Sequence, residues 1–163
     1  MKNGDEPKIK LEYYSEQFVK KLFKRFPQWR QYAGHRVTGE LDDIAYWLDV
    51  LIPSVNPNVS EPLRIMTYPK EVIVTWIKGI HRHFDTFFPR PHSPDYMEQA
   101  IEMLEEVVTD KIVFGYWEQD GKPTGGGFYF SLTADSPSKM PSTEHGSVII
   151  RSWLGGQDRE IHP

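Results

Sequence analysis

Two spacings of hydrophobic residues occur along this chain, and they predict helices in some segments and strands in others. The helical spacing predicts a first helix over residues 15–26, a second over 38–52 and a third from an N-cap at Ser93 to about Asp110. Proline follows the first two helices directly and can end both. The second helix depends on apolar residues that share one helical face: Leu41, Ile44, Ala45, Leu48, Leu51 and Ile52.

The extended spacing, with apolar residues at every second position, predicts the strands. They cover residues 63–68, 71–88, 111–117, 125–133 and 147–154. Pro69-Lys70 and Asp120-Gly121 are turn sequences, so the first two strands should pair as one hairpin and the next two as another.

The predicted order is therefore α-α-β-β-α-β-β-β, which is typical of the α+β class. Short turns favour a mostly antiparallel sheet, with the helices packed on one face. We expect residues 1–163 to form a single α+β domain, with residues 1–10 and 134–146 flexible because they are polar or rich in Ser and Pro. The order also resembles that of NTF2-like cone folds, and this resemblance implies a curved sheet that leaves a pocket.

Composition removes several classes of function. The formal net charge is −4, which argues against generic nucleic-acid binding, because proteins of that kind usually carry a basic excess. The chain has no cysteine, so disulfides and thiolate catalysis are excluded. It has no apolar run of about 18 residues and no signal-peptide core near its start, so we expect a cytoplasmic protein that does not cross a membrane.

The segment over residues 71–88 carries the strongest chemical signal. Read as one strand, it places Trp76 on an apolar face and His81, His83 and Asp85 in a row on the opposite face. The apolar face reads as core: Val72, Val74, Trp76, Ile80 and Phe84.

If this strand joins the sheet formed by the later strands, its polar row would lie on an open face beside aromatic and charged residues. The same parity predicts that Trp76 belongs to the core and that Trp153 covers an edge or contacts a partner. The triple glycine at residues 125–127 predicts a bulge or a close backbone approach. The candidate binding residues are therefore His81, His83, Asp85, Trp117, Tyr129, Arg151 and Trp153.

Three interpretations of the polar row remain open. Two imidazoles and a carboxylate suit a transition metal, although no further ligand motif accompanies them. His81 or His83, oriented by Asp85, could act in acid–base catalysis. Alternatively, Asp85 and Arg82 could simply fix the end of the strand by hydrogen bonds. No nucleophile motif is present, so we assign no catalytic residue, no metal and no cofactor.

Three sequence features together resemble the toxin-immunity type of small bacterial protein. They are VTWIKGIHRHFD, the acidic helix that follows it and the KIVFGYW hairpin, within residues 60–155. The resemblance implies a non-catalytic, cytosolic protein-binding module that inhibits a cognate toxin domain without a cofactor. The alternative is a small-ligand-binding protein or metal-dependent enzyme, with a pocket on the open sheet face around His81, His83 and Asp85.

Overall fold

The structure is a computed structural model that describes residues 10–39, 44–85, 95–130 and 146–163, without the side chains of residues 128–130. It confirms the α+β class, with two α-helices, one 3₁₀-helix and nine strands in these residues. The segments predicted to be flexible lie almost wholly outside the described residues. The elements in chain order are α1 Tyr13–Arg25, the 3₁₀-helix Pro27–Tyr32, β1 Ala33–Thr38, β2 Ala45–Ile52, β3 Leu63–Tyr68, β4 Glu71–Trp76, β5 Ile80–Asp85, α2 Tyr96–Val108, β6 Ile112–Gln119, β7 Lys122–Phe130, β8 Ser147–Ser152 and β9 Arg159–Ile161.

The strands form two sheets rather than one. The first sheet has five strands in the order β1-β2-β3-β4-β5, so each strand pairs with its neighbour in sequence. The second sheet has four strands in the order β7-β6-β8-β9. Every described pairing is antiparallel, as expected for short connections. The shared open face depended on the condition that the strand over residues 71–88 joins the sheet of the later strands. That condition is not met, because β4 and β5 belong to the first sheet.

The predicted second helix is also wrong, because residues 45–52 form strand β2. Leu48, Val50 and Ile52 face the core at every second position, while Leu51 is exposed. The apolar residues of this segment therefore fit the spacing of a strand as well as they fit the spacing of a helix. Pairing with β1 on one side and β3 on the other then favours the strand. Residues 40–43, which the same helix would have included, lie outside the described residues.

The single predicted strand over residues 71–88 is two strands joined by a tight turn. Lys78 and Gly79 have φ values of 54° and 73°, so both lie in the left-handed region.

 The Ile80 amide donates to the Ile77 carbonyl at 3.1 Å and so closes the turn. Because Trp76 pairs with Ile80 and Val72 with Phe84, the predicted division into an apolar and a polar face survives the turn. Residues 86–88 lie outside the described residues.

Both helices pack on the inner face of the first sheet. Phe18 and Leu22 of α1 are fully buried there, as are Ala100 and Leu104 of α2. Since α2 also contacts β6, it lies where the two sheets meet. The ring of Trp76 makes an edge-on contact with Phe114 of β6, with ring centroids 4.6 Å apart, so one hydrophobic core spans both sheets.

The start of α2 is fixed by Asp95 rather than by Ser93, which lies outside the described residues. The Asp95 side chain accepts hydrogen bonds from the amides of Met97 (2.9 Å) and Glu98 (3.0 Å), and so satisfies two donors of the first turn. The helix ends at Val108, close to the predicted end. Neither described α-helix is long and apolar enough to cross a membrane.

A polar network ties the loop after β2 to the turn after β8. Asn56, almost fully buried, donates to the Ser152 carbonyl (2.7 Å) and to both carboxylate oxygens of Asp158 (3.0 Å each). Asp158 also accepts from the Ser152 amide (2.9 Å) and from the Asn58 side chain (2.9 Å). Asp110 accepts from the Ser152 hydroxyl at 2.9 Å, which brings the end of α2 into the network. These bonds link a loop of the first sheet to the turn that follows β8 of the second sheet.

Tyr96 leads to a prediction about stability at alkaline pH. Its buried hydroxyl has no hydrogen-bond partner among the described residues, and burial raises its pKa to about 12. The unfolded chain ionises this phenol near pH 10. The raised pKa of Tyr96 therefore contributes to the stability of the folded state, and this contribution is complete below about pH 10. It is lost as the pH rises from about 10 to about 12.

We expect Tyr96→Phe to change the free energy of unfolding at pH 7 by less than about 0.5 kcal/mol, because no hydrogen bond to a described residue is lost. Above pH 10 the variant should lose less stability than the wild type. Urea titrations at pH 7, 9, 10 and 11 measure this difference. A variant that follows the wild-type curve at every pH would show that Tyr96 ionises normally in the folded state.

Candidate functional site

The surface that combines the most chemical variety is the side of the first sheet that faces away from the helices. Residues of β3 and β4 alternate between buried and partly exposed, so one set packs on the helices and the other lies on this surface. We call it the outer face, and define it from the strand register as Arg36, Trp47, Asp49, Leu51, Arg64, Met66, Tyr68, Glu71, Ile73, Thr75, His81, His83 and Asp85.

An ion pair lies near the middle of the outer face. The Arg64 guanidinium donates from Nε to Asp49 Oδ1 at 2.9 Å and from Nη2 to Oδ2 at 2.6 Å. This two-point geometry fixes both side chains, because a planar guanidinium matches a planar carboxylate. The hydrogen bond to Asp49 raises the pKa of Arg64. The sequence pattern did not predict this pair, because the helical spacing of residues 38–52 placed Asp49 in a helix.

A second fixed arginine lies near the β1 edge of the outer face. Arg36 lies over the ring of Tyr68, 3.6 Å from its centroid, and donates to the Thr67 carbonyl at 2.7 Å. That carbonyl is available because the β2–β3 pairing stops at Asp49 and Met66. At the next position the Leu48 amide donates to the Thr67 hydroxyl instead, at 3.0 Å. The local separation of the strands therefore creates the place where Arg36 binds.

The predicted polar row lies on β5, the other edge of the outer face. His83 Nδ1 lies 2.5 Å from Glu71 Oε1, and His81 Nδ1 lies 2.9 Å from the Gly79 carbonyl oxygen. Glu71 rather than Asp85 therefore orients His83, which corrects the acid–base interpretation. The two imidazole centroids are 5.0 Å apart. No three His, Cys, Asp or Glu residues in the described part of the chain are grouped as ligands for one metal ion.

The candidate binding residues do not share one face as predicted, because those outside the polar row belong to the second sheet or to the core. Trp117 and Tyr129 are on β6 and β7, and the side chain of Tyr129 is outside the described residues. Arg151 pairs with Phe114 on β6, so it lies on the opposite face from Trp117. Its ion pairs with Glu160 (2.6 Å) and Asp158 (3.9 Å) hold it within its own sheet.

The predicted position of Trp153 on the open face is wrong, because its side chain is only 5% exposed. Its ring centroid lies 5.3 Å from that of Trp76, inside the main hydrophobic core. The physical reason is that β8 ends at Ser152 and a turn follows, so strand parity no longer decides the direction of Trp153. Trp76 itself is buried as predicted.

A cleft of about 320 Å³ lies between the β4–β5 turn and β7. Tyr116 is one of its walls, and burial raises the pKa of this phenol, so its hydroxyl stays protonated at neutral pH. His81 is the only member of the polar row in this lining; His83 and Asp85 are not part of it. Charged, aromatic and glycine residues contribute to the walls: Lys78, His81, Tyr116 and Gly125–Gly127.

The close approach predicted for the triple glycine is present at the edge of this cleft. A Cβ atom on Gly126 would lie 2.6 Å from Ile80 Cδ1 and 2.8 Å from the Gly115 carbonyl oxygen. A bulge lies beside the triple glycine rather than within it, because the β6–β7 register shifts between Trp117, which pairs with Gly125, and Glu118, which pairs with Pro123. The absence of a side chain at Gly126 therefore allows the second sheet to approach β5.

Gly126→Ala is expected to lower the free energy of unfolding by about 1–3 kcal/mol, because the new methyl group must displace backbone as well as a side chain. Gly125→Ala is the matched control, since its Cβ would lie 3.4 Å from the Trp117 ring, which is an ordinary contact. Chemical denaturation of both variants measures the difference. Equal stability of the two would contradict the close packing of β7 on Ile80.

Comparison of the chain with protein-family models, curated proteins and solved structures found no match.

Proposed function

We propose that this chain is a non-catalytic protein-binding module, and that it contacts its partner through the outer face of the first sheet. The observation that carries the proposal is the arrangement of Arg64 on Asp49 and Arg36 on Tyr68. Side chains that are already held in one geometry lose little conformational entropy when a partner binds. Arginine and aromatic residues are also enriched among those that contribute most to binding energy.

Apolar side chains between these fixed groups support the same proposal. Ile73 lies between Met66 on β3 and His83 on β5 in the strand register, and all three lie on the outer face. Leu51 is 46% exposed at the end of β2. A partner could therefore bury apolar area and meet charged groups on the same rigid sheet, which is the usual composition of a protein interface.

We further propose that the partner is a bacterial toxin domain and that the chain is an immunity-like inhibitor. This part rests on the resemblance carried by residues 60–155. The acidic side chains of α2 contribute less than their number suggests, because α1 neutralises some of them. Lys21 binds Glu98 and lies 3.5 Å from Asp95, and Arg25 binds Glu105. Inhibition would then depend on the outer face covering part of the toxin.

The experiment is a growth assay in which the chain is expressed together with the product of the gene adjacent to its own. The expected result is that the adjacent product alone stops growth, and that the chain restores growth and co-purifies with it at a fixed ratio. If the adjacent product is harmless, or if growth is not restored, the inhibitor proposal is wrong.

A second candidate function is supported by the cleft beside His81. Its volume of about 320 Å³ is at the lower end of the range typical of small-molecule sites, which is about 300–1,000 Å³. The Lys78 ammonium, the His81 imidazole and the Tyr116 hydroxyl would supply polar contacts to a small ligand. A curved, pocket-forming cone would fit this function. Screening of small anionic and aromatic compounds by thermal shift, with Lys78→Ala as the variant that should lose any response, tests it.

A further inference from the structure

The two histidines of β5 are held in a defined protonation pattern. A carbonyl oxygen and a carboxylate oxygen can only accept hydrogen bonds, so each Nδ1 atom must carry the proton. For His81 the acceptor is the Gly79 carbonyl at 2.9 Å, and for His83 it is Glu71 Oε1 at 2.5 Å. In the neutral form of each ring, the lone pair is therefore on Nε2. Both rings are exposed, and no described residue is hydrogen-bonded to either Nε2 atom.

This pattern is the one that metal-binding histidines adopt. A histidine that binds a metal through Nε2 usually donates its Nδ1 proton to a carboxylate or a backbone carbonyl, which fixes the tautomer and the ring orientation. The chain provides one acceptor of each kind, Glu71 and Gly79. Two independent interactions thus prepare neighbouring imidazoles in the same way.

The separation of the rings fits a shared ion. With a metal–nitrogen distance of about 2.0–2.1 Å and a tetrahedral angle, the centroids of two imidazoles on one ion lie about 5 Å apart. The observed distance between the His81 and His83 centroids is 5.0 Å. Positions i and i+2 of a strand share a face, so the backbone of β5 maintains this separation.

The charges around the pair also favour a cation. Glu71 on β4 and Asp85 on β5 lie opposite each other in the strand register, on the same face as the histidines, so both carboxylates are near the pair. Arg64 pairs with Thr75, which in turn pairs with His81 across the sheet. The positive charge of Arg64 is offset by its two-point ion pair with Asp49. Lys78, within the β4–β5 turn, is 3.5 Å from the Glu61 carboxylate.

We propose that His81 and His83 form a two-histidine site for a divalent transition-metal ion, with Nε2 of each ring as the ligand. Glu71 is a positioning residue that acts through His83. Imidazole ligands suit Cu²⁺, Ni²⁺ and Zn²⁺, and the affinity should follow the order Cu²⁺ above Ni²⁺ and Zn²⁺. Water completes the coordination in the isolated protein. The proposal does not depend on the partner-binding function, because it concerns the free chain.

The experiment is calorimetric titration of the tag-free full chain with Cu²⁺, Ni²⁺ or Zn²⁺ chloride. The expected result is one saturable ion per chain, with the affinity lowered more than about tenfold in His81→Ala and in His83→Ala. The matched control is His35→Ala, an exposed histidine on β1 at the other edge of the sheet, which should bind like the wild type.

Variants of Glu71 test the positioning role separately. Glu71→Ala should lower the affinity by about 10–100-fold, whereas Glu71→Gln, whose amide oxygen can still accept the Nδ1 proton, should retain most of it. Long-range ¹⁵N NMR of the histidine rings should show a proton on Nδ1 of both rings in the metal-free protein. Absence of saturable binding, or equal binding by His81→Ala and His35→Ala, would overturn the proposal.

Discussion

Replacement of Trp153 by alanine is expected to lower the free energy of unfolding by about 3–5 kcal/mol, the usual cost of removing a large buried aromatic side chain. The ring is almost completely buried, and it contacts the Trp76 ring, which in turn contacts Phe114. The substitution therefore leaves a cavity where the first sheet, the second sheet and the turn after β8 meet. Trp76→Ala should have a similar cost for the same reason.

Leu154→Ala is the matched control for Trp153, because the next residue along the chain is 59% exposed. Its stability should stay within about 0.5 kcal/mol of the wild type. Equilibrium unfolding in urea, followed by tryptophan fluorescence and circular dichroism, compares the three variants. A loss below about 1 kcal/mol in Trp153→Ala would contradict its burial and support the exposed position that strand parity alone predicted.

The second large effect is expected at Asp158. Its carboxylate accepts hydrogen bonds from the Asn56 and Asn58 side chains and from the Ser152 amide, and it is largely buried. Asp158→Ala leaves these donors without their acceptor, and we expect a loss of about 2–4 kcal/mol. Because the network joins loops from both sheets, the loss should appear as a less stable whole fold.

Glu160→Ala is the control for Asp158, since both carboxylates approach Arg151 but Glu160 is about half exposed. An exposed ion pair contributes about 0–1 kcal/mol, so the control should lose little. Asp158→Asn keeps one acceptor oxygen and should fall between the two. Thermal and urea unfolding of this series decides the matter, and equal stability of Asp158→Ala and Glu160→Ala would show that the network contributes nothing.

Local sequence signals predicted the elements whose partners are close in the chain. The apolar stripe of α1, the hairpin at Pro69-Lys70 and the turn at Asp120-Gly121 all depend on nearby residues, and the structure has each of them. The segment over residues 45–52 could not be assigned from nearby residues, because the spacing of its apolar residues fits both a helix and a strand. Its neighbours β1 and β3 favour the strand, and that information is not local.

The candidate site shows the same limit. Alternation along 71–88 correctly separated Trp76 from the row containing His81 and His83, because the turn at Gly79 preserved the parity. Parity could not show that Glu71 holds His83 or that Arg64 holds Asp49, since those pairs depend on which strands are neighbours. The last strand, β9, has only three residues and offers too short a pattern to be predicted.

The measurement that tests the central claim most directly is the affinity of outer-face variants for the partner protein identified in the growth assay. Ile73→Arg places a charge in the middle of the outer face without altering the core, since Ile73 is only partly buried. Leu154→Arg is the control at an exposed site outside that face.

We expect Ile73→Arg to weaken binding by at least about tenfold and Leu154→Arg to leave it unchanged, with both variants folded by circular dichroism. Equal affinities for the wild type and Ile73→Arg would contradict the assignment of the outer face as the binding surface.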